Sequence, residues 1–344
     1  MEKKIIHLVY ASDCGYLRNV AVAIGSAFLW ASDRSRLVVD LLAIDIDESI
    51  WEGWIEEVMR FLPQDCKIIK HDIEGERFSC LRQWHGSKGA YARLLLPELL
   101  HGEAWCIYAD VDTLFTADPL ELENVYDTSS SIMGHLEYPF KELHEQEVWF
   151  KERNLPFDRC KYFCSGFVLM NLDWFRKNDA GARALELLRQ FPDAPLVDQE
   201  ALNAICVGTS KALPSEWGCF GCEAFAEGRP KAIHYPGHNP WKFLDNMFPD
   251  YIDAYNIWFR YAKYIYGKDW KCYSKKVKLI RYAFMRIMGV SGVILRMMVD
   301  MTGITRVPFV CRYVLRHYAS RKVWEEMLSC MNQRSDWQAP RKGF

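Results

Sequence analysis

Three features of this 344-residue chain predict an α/β fold in which a parallel-rich sheet is covered by helices on both faces. Short apolar runs rich in Val, Leu and Ile alternate with longer amphipathic stretches, the pattern of strands joined by crossover helices. The apolar runs are continuous rather than alternating, as strands buried on both faces require. A hydrophobic content of 50% over this length supplies apolar surface for one large core and a smaller appendage.

In chain order, residues 5–11 read as a buried strand, 16–31 as an amphipathic helix and 37–44 as a second strand. A helix is expected from Glu48, a short strand over 66–70, a helix over 87–100 and a third clear strand over 105–109. Further strands are predicted at 131–134, 166–171 and 231–235, with helices at 179–190 and 198–207. In such sheets ligands bind beyond the carboxyl ends of the strands, so site residues should follow strands immediately.

After about residue 265 the character changes. The stretch 271–322 holds twelve Lys and Arg against Asp300 alone, a net of +11 that leaves −13 for the rest of a chain whose total is −2. Two units are therefore expected, a catalytic domain over 1–265 and a basic, aromatic-rich helical tail over 266–344. The longest uncharged run of the tail, 287–295, is far short of the roughly 20 apolar residues that cross a bilayer. A basic tail with apolar residues at partly helical spacing suits an anionic membrane surface. Nucleic acid is not expected as a partner, because no readout module accompanies the basic residues.

The apolar run after Lys4 is short and soon meets Asp13, unlike a signal peptide, so the expected location is cytoplasmic or peripheral on the inner face of the cell membrane. The 12 cysteines are scattered and read as reduced thiols. Cys219 and Cys222 form one CxxC that Cys160 and Cys164 could complete as a zinc site, but neither pair has the spacing of a recognised zinc module.

Asp110 and Asp112 follow the apolar run 105–109, so both carboxylates can project from the end of a buried strand and share one cation. Two carboxylates held close at neutral pH repel, and a divalent ion relieves that repulsion. A second triplet, Asp45-Ile46-Asp47, precedes Glu48-Ser49-Ile50-Trp51, where Asp47 suits a helix N-cap. His234 ends the apolar segment 231–233, and the following Tyr235-Pro236-Gly237 turn is expected to leave its imidazole exposed. Two carboxylates, one imidazole and diphosphate oxygens together suit manganese, whereas magnesium prefers oxygen ligands alone.

Several segments match, in order, the family 8 glycosyltransferases, the group of bacterial lipooligosaccharide galactosyl- and glucosyltransferases and, more distantly, glycogenin. They are Ala11-Ser12-Asp13, His85, Tyr91-Ala92-Arg93 and Tyr108-Ala109-Asp110-Val111-Asp112, then Ser165-Gly166, Asp198-Gln199 and His234-Tyr235-Pro236-Gly237. The chain resembles that family over about residues 5–245.

The resemblance implies a GT-A type, Rossmann-like nucleotide-sugar-binding fold. It also implies a UDP-hexose donor, glucose or galactose first, and transfer to a saccharide or glycolipid acceptor with retention of anomeric configuration in lipopolysaccharide or surface glycan assembly. Manganese, or magnesium in its place, would be held by Asp110, Asp112 and His234. Ala11 and Asp13 would hold the uracil and ribose end; Arg93, Ser165, Gly166, Asp198 and Gln199 would surround the transferred sugar, with Gln199 and Asp198 nearest the chemistry. His85, Val111, Gly237 and Lys242 complete the implied donor site.

The duller alternatives are that Asp13 caps the helix near Tyr16, that Arg93 is a solvated helix residue and that Asp198 is an N-cap. Cys164-Ser165-Gly166 stands where bacterial members usually carry Asn-Ala-Gly, and His238-Asn239-Pro240 replaces the usual Lys-Pro, with Lys242 or His238 as substitutes. Two other functions remain open: a haloacid-dehalogenase-like phosphohydrolase, which also places Asp-x-Asp after a strand, and a non-catalytic nucleotide-sugar-binding protein at a membrane surface.

Overall fold

The computed structural model describes residues 4–84, 86–138, 142–225, 228–237, 239–241, 252–266, 320, 322–327 and 329. The chain opens with β1 (Ile6–Ser12), α1 (Leu17–Trp30), β2 (Leu37–Ile44), α2 (Glu48–Met59) and β3 (Lys67–Ile73). Two short helical pieces, α3 (Gly89–Ala92) and α4 (Leu96–Leu99), precede β4 (Trp105–Ala109), β5 (Thr113–Phe115), α5 (Leu122–Val125), β6 (Ile132–Leu136) and α6 (His144–Glu152). Then come β7 (Phe163–Asn171), α7 (Leu172–Lys177), α8 (Ala180–Gln190), α9 (Asp198–Ile205), β8 (Lys211–Ala212), β9 (Cys219–Phe220), β10 (Ala232–His234) and α10 (Ile252–Tyr266).

The main sheet has seven strands in the order β3-β2-β1-β4-β7-β6-β8. Its first four strands run parallel, β7 runs antiparallel to both neighbours, and β6 and β8 are again parallel to each other. The order reverses at β1, where β2 lies on one side and β4 on the other, and the crevice beyond that point is where a doubly wound sheet binds its ligand. Successive residues of β1 serve opposite cores: Leu8 and Tyr10 join the cluster under α1, α2 and α10, while Val9 and Ala11 join the one under α7, α8 and α9. Both faces are thus covered, as the continuous apolar strands predicted.

A second sheet of three short strands, β5-β10-β9, stands beyond β4. Sequence reading found β10, within the strand expected at 231–235, but neither β5 nor β9, which are too short to show a period of their own. The helix expected over 87–100 is instead two short helices separated by a 3₁₀ turn at Arg93–Leu95. Pro97 is the cause: it has no N–H for the Arg93 carbonyl, and its ring crowds that carbonyl. Strand β3 runs on to Ile73 through His71 and Asp72, which an edge strand with half-exposed residues accommodates. Within the segment expected as a tail, Val323, Trp324 and Met327 join the cluster under α1; apart from 320, 322–327 and 329, residues 267–344 lie outside the described residues. Among the described residues no helix is long and apolar enough to cross a membrane.

Candidate active site

Asp110 leaves the end of β4 with its N–H bonded to the Gly166 carbonyl of β7 at 2.7 Å, and the Thr113 N–H closes a tight turn back onto the Asp110 carbonyl. Asp110 and Asp112 therefore project from one turn. β5 begins at once and pairs antiparallel with β10, so that Thr113 faces His234 and the Tyr235 N–H bonds the Asp112 carbonyl. His234 Nε2 comes to 3.2 Å from Asp112 Oδ1 and 3.7 Å from Asp110 Oδ2. One ligand atom from each of the three residues lies within 4.8 Å of the others.

The turn after β10 does not expose the imidazole as the sequence suggested; Phe220 and Gly166 cover it, leaving His234 2% exposed. Burial disfavours charge on this ring, but the Asp112 carboxylate and Cys164 more than offset it and raise its pKa well above the ordinary value. Asp112 Oδ2 accepts from Asn239 Nδ2 at 2.5 Å, whereas Asp112 Oδ1 is buried and, apart from its ion-pair contact with His234, makes no hydrogen bond. A buried carboxylate oxygen facing only an imidazole and a second carboxylate is what a divalent cation satisfies, so the donor set fits such an ion.

Arg93 is not a solvated helix residue. It is 2% exposed, its Nη2 donates to Asp110 Oδ1 at 2.8 Å, its Nε lies 3.2 Å from Asp198 Oδ2, and its guanidinium covers the Tyr108 ring at 4.1 Å. Nη1 donates to the Ser165 carbonyl. Burial opposes the Arg93 charge, and the two aspartates restore it and hold its pKa above the ordinary value. Asp198 is not the N-cap: Val197 holds that position with φ +51, a strained geometry for a β-branched residue. This bend puts Asp198 and Gln199 in the first turn of α9, both lining the cavity. Burial pushes the Asp198 carboxyl up to about 6, with Arg93 acting in the opposite direction.

Gln199 is fixed by three partners. Its Oε1 accepts from the Ser165 N–H at 3.0 Å, and its Nε2 donates to Glu137 Oε1 at 2.8 Å and to the Tyr162 hydroxyl at 3.1 Å. Glu200, fully buried behind it, accepts from the Tyr162 hydroxyl at 3.0 Å and from the Leu196 N–H at 2.8 Å. Burial pushes Glu200 up to about 8.

Apart from Tyr162 and Glu200, which lie behind it, these groups line one cavity of about 480 Å³. Of the residues singled out in the sequence, its lining includes Ala11 and Asp13 from the end of β1, Arg93, and Asp110, Val111 and Asp112 from the β4 turn. Ser165 and Gly166 from β7, Asp198 and Gln199 from α9, and His234 and Gly237 from the β10 end complete the set. Asp13 accepts from the Gly15 N–H at 2.9 Å, while Tyr16 is the N-cap of α1. His85, His238 and Lys242 lie outside the described residues. Asp45 and Asp47 stay out of the cavity lining: Asp45 accepts from the Gly75 N–H at 2.9 Å, and Asp47 holds the N-cap position of α2 without a side-chain cap bond. Sequence reading missed Glu137, Glu223 and Asn239, which also line the cavity. Glu137 follows β6 at once, so the rule that site residues follow strands pointed to it.

The family model of glycosyl transferase family 8 matches residues 7–245, and the chain belongs to that family. The chain is 26% identical over 293 residues to general stress protein A of Bacillus subtilis (strain 168), a match spanning 76% of this chain and 95% of that protein. It is 28% identical over 150 residues to glycosyltransferase GlyB of Streptococcus pneumoniae serotype 4, covering 38% of this chain and 37% of the relative. Among solved structures, galactosyltransferase LgtC in complex with donor and acceptor sugar analogs superposes with a TM-score of 0.61 at 21% identity, covering 75% of this chain and 95% of that one. The sheet order described above is thus a GT-A fold, and the protein is a glycosyltransferase; the phosphohydrolase alternative falls away.

Proposed function

We propose that the protein transfers a hexose, glucose or galactose first, from a UDP-sugar to a saccharide or glycolipid acceptor with retention of configuration, in lipopolysaccharide or surface glycan assembly. The observation that carries this reading is the convergence of Asp110, Asp112 and His234 around the buried Asp112 Oδ1, on the wall of a cavity that also holds Asp13, Arg93, Asp198 and Gln199. Asp110, Asp112 and His234 would hold a divalent ion, manganese by the mixed oxygen and nitrogen donor set. When bound, that ion supplies Lewis-acid stabilisation of the charge that grows on the departing diphosphate.

The protein's own residues do the positioning. Asp13, with the backbone at Ala11, stands at the end of β1, where the uridine end of the donor enters the switch-point crevice. Arg93 bridges Asp110 and Asp198 and so locks the sugar-facing carboxylate to the cation-facing one. Asp198 Oδ2 is held only by its ion pair with Arg93 Nε, and we take the Asp198 carboxylate as the group that orients sugar hydroxyls. The Gln199 amide is held by Ser165, Glu137 and Tyr162 and is a poor nucleophile, which favours attack on the same face as the departing group over a covalent intermediate. We further propose that the basic tail over 266–344 rests on an anionic membrane surface, on the strength of its net positive charge.

A screen of UDP-glucose, UDP-galactose and their N-acetyl forms for manganese-dependent UDP release tests the transfer reading, with Asp110→Ala and Asp112→Ala as controls. Release with at least one donor, abolished in both variants, is expected. Wild-type protein inert toward every donor would favour a non-catalytic nucleotide-sugar-binding protein instead.

A further inference from the structure

His234 is held on every side. Its Nε2 faces the two aspartates, and its edge packs on Gly166, where an added Cβ would fall 2.2 Å from Cε1. Phe220, its parallel partner across β9 and β10, keeps its ring 6.3 Å away. On the remaining side, Nδ1 meets Cys164 Sγ at 3.6 Å. Alternation along β7 puts Cys164 and Gly166 on the face toward this histidine and gives Ser165 to the opposite face.

A neutral imidazole offers a lone pair from Nε2 only when its proton sits on Nδ1, and the group accepting from Nδ1–H selects that tautomer and fixes the ring. The usual acceptor is a carboxylate or a backbone carbonyl. Here it is a buried thiol, a weak acceptor in direct contact with the ring nitrogen. We propose that Cys164 is a positioning residue for the cation site: its Sγ accepts from His234 Nδ1–H and so keeps Nε2 directed at Asp110 and Asp112 as a ligand. This rests on the divalent-cation reading given above. The thiol itself is not a ligand, because it lies at the ring nitrogen opposite the aspartates.

The test is Mn²⁺ binding, not turnover: free Mn²⁺ is followed by its paramagnetic resonance signal while the full chain is titrated in the presence of UDP. Cys164→Ala is expected to weaken binding about 10- to 100-fold, the loss typical of removing an outer partner of a metal-bound histidine. Cys164→Ser, whose hydroxyl accepts in the same place, is expected to stay close to wild type. Cys164→Val keeps the volume without an acceptor and carries the comparison should the alanine variant fail to fold, with thermal unfolding measured on each. Alanine and valine variants that bind as tightly as wild type would overturn the inference, as would a serine variant as weak as alanine. Absence of Mn²⁺ binding by wild type itself would remove the cation reading beneath it, an outcome distinguishable from the others.

Discussion

His234 reaches Asp112 because its strand partner is Thr113, the residue directly after that aspartate. One antiparallel pair therefore decides whether the cation ligands meet. Replacing His234 by Ala should leave the fold intact and lower donor turnover by about 100-fold or more, since several kcal/mol of leaving-group stabilisation depend on the held ion. Steady-state UDP release with the circular dichroism spectrum unchanged is the check.

Arg93 bridges two aspartates from a position 2% exposed, so its removal leaves Asp198 buried and uncompensated. Arg93→Met should cost about 3–5 kcal/mol in urea unfolding, the range for breaking one side of a buried pair. Arg93→Lys should fall between, because a single ammonium cannot span both carboxylates as the planar fork does. Equal stability of wild type and Arg93→Met would contradict the bridge.

Gly166 has no room for a side chain: a Cβ there would lie 2.2 Å from His234 Cε1 and 2.6 Å from Asp110 Oδ2. Gly166→Ala should therefore spread the ligand cluster, at about 1–3 kcal/mol of overpacking cost, and reduce Mn²⁺ affinity more than it reduces stability. Parallel metal titration and urea unfolding separate the two effects.

Away from the site, Asp40 lies between His7 and His71, at 2.7 Å from each. Burial opposes the charge of both Asp40 and His7, but their mutual hydrogen bond and attraction prevail: Asp40 is lowered from 3.8 and His7 is raised from 6.5. The Asp40 contribution is fully present above its unfolded value and is lost as pH falls through the lower folded value. The His7 contribution is fully present below its unfolded value and is lost as pH rises through the higher folded value. The pair should thus stabilise most between about pH 4 and 6.5. The stability difference between wild type and Asp40→Asn should peak in that window, and a difference flat in pH would contradict this.

Glu200 carries the opposite sign of effect at alkaline pH. Its folded pKa is pushed from 4.5 to about 8 by burial, so the protonated form favours folding below 4.5 and that advantage is lost as pH rises through about 8. Glu200→Gln should therefore gain on wild type in urea unfolding between pH 5 and pH 9. A constant gap across that interval would exclude a proton on this carboxyl.

Six of the seven strands of the main sheet were legible because they are apolar runs, and β2 and β4 fall where the pattern placed them; the two-residue β8 was not predicted. Part of the site was legible from strand ends: Asp13 and Asp110 directly follow β1 and β4, and His234 ends β10, although Glu137, directly after β6, was passed over. Less visible was everything decided by side chains meeting across the cavity. Nothing local marks Glu137 as the partner of Gln199, or Asn239 as the partner of Asp112, because both contacts join segments distant in sequence. The burial of His234 was equally hidden, since it depends on β9, a strand of two residues.

The central claim is that Asp110, Asp112 and His234 hold a divalent ion that grips the donor diphosphate. Calorimetric titration of Mn²⁺ into wild type, Asp110→Ala, Asp112→Ala and His234→Ala, each with UDP present, tests it most directly. One ion should bind per wild-type chain, with binding lost or strongly weakened in all three variants. A wild type that takes up no ion, or variants that bind it as well as wild type does, would contradict the account.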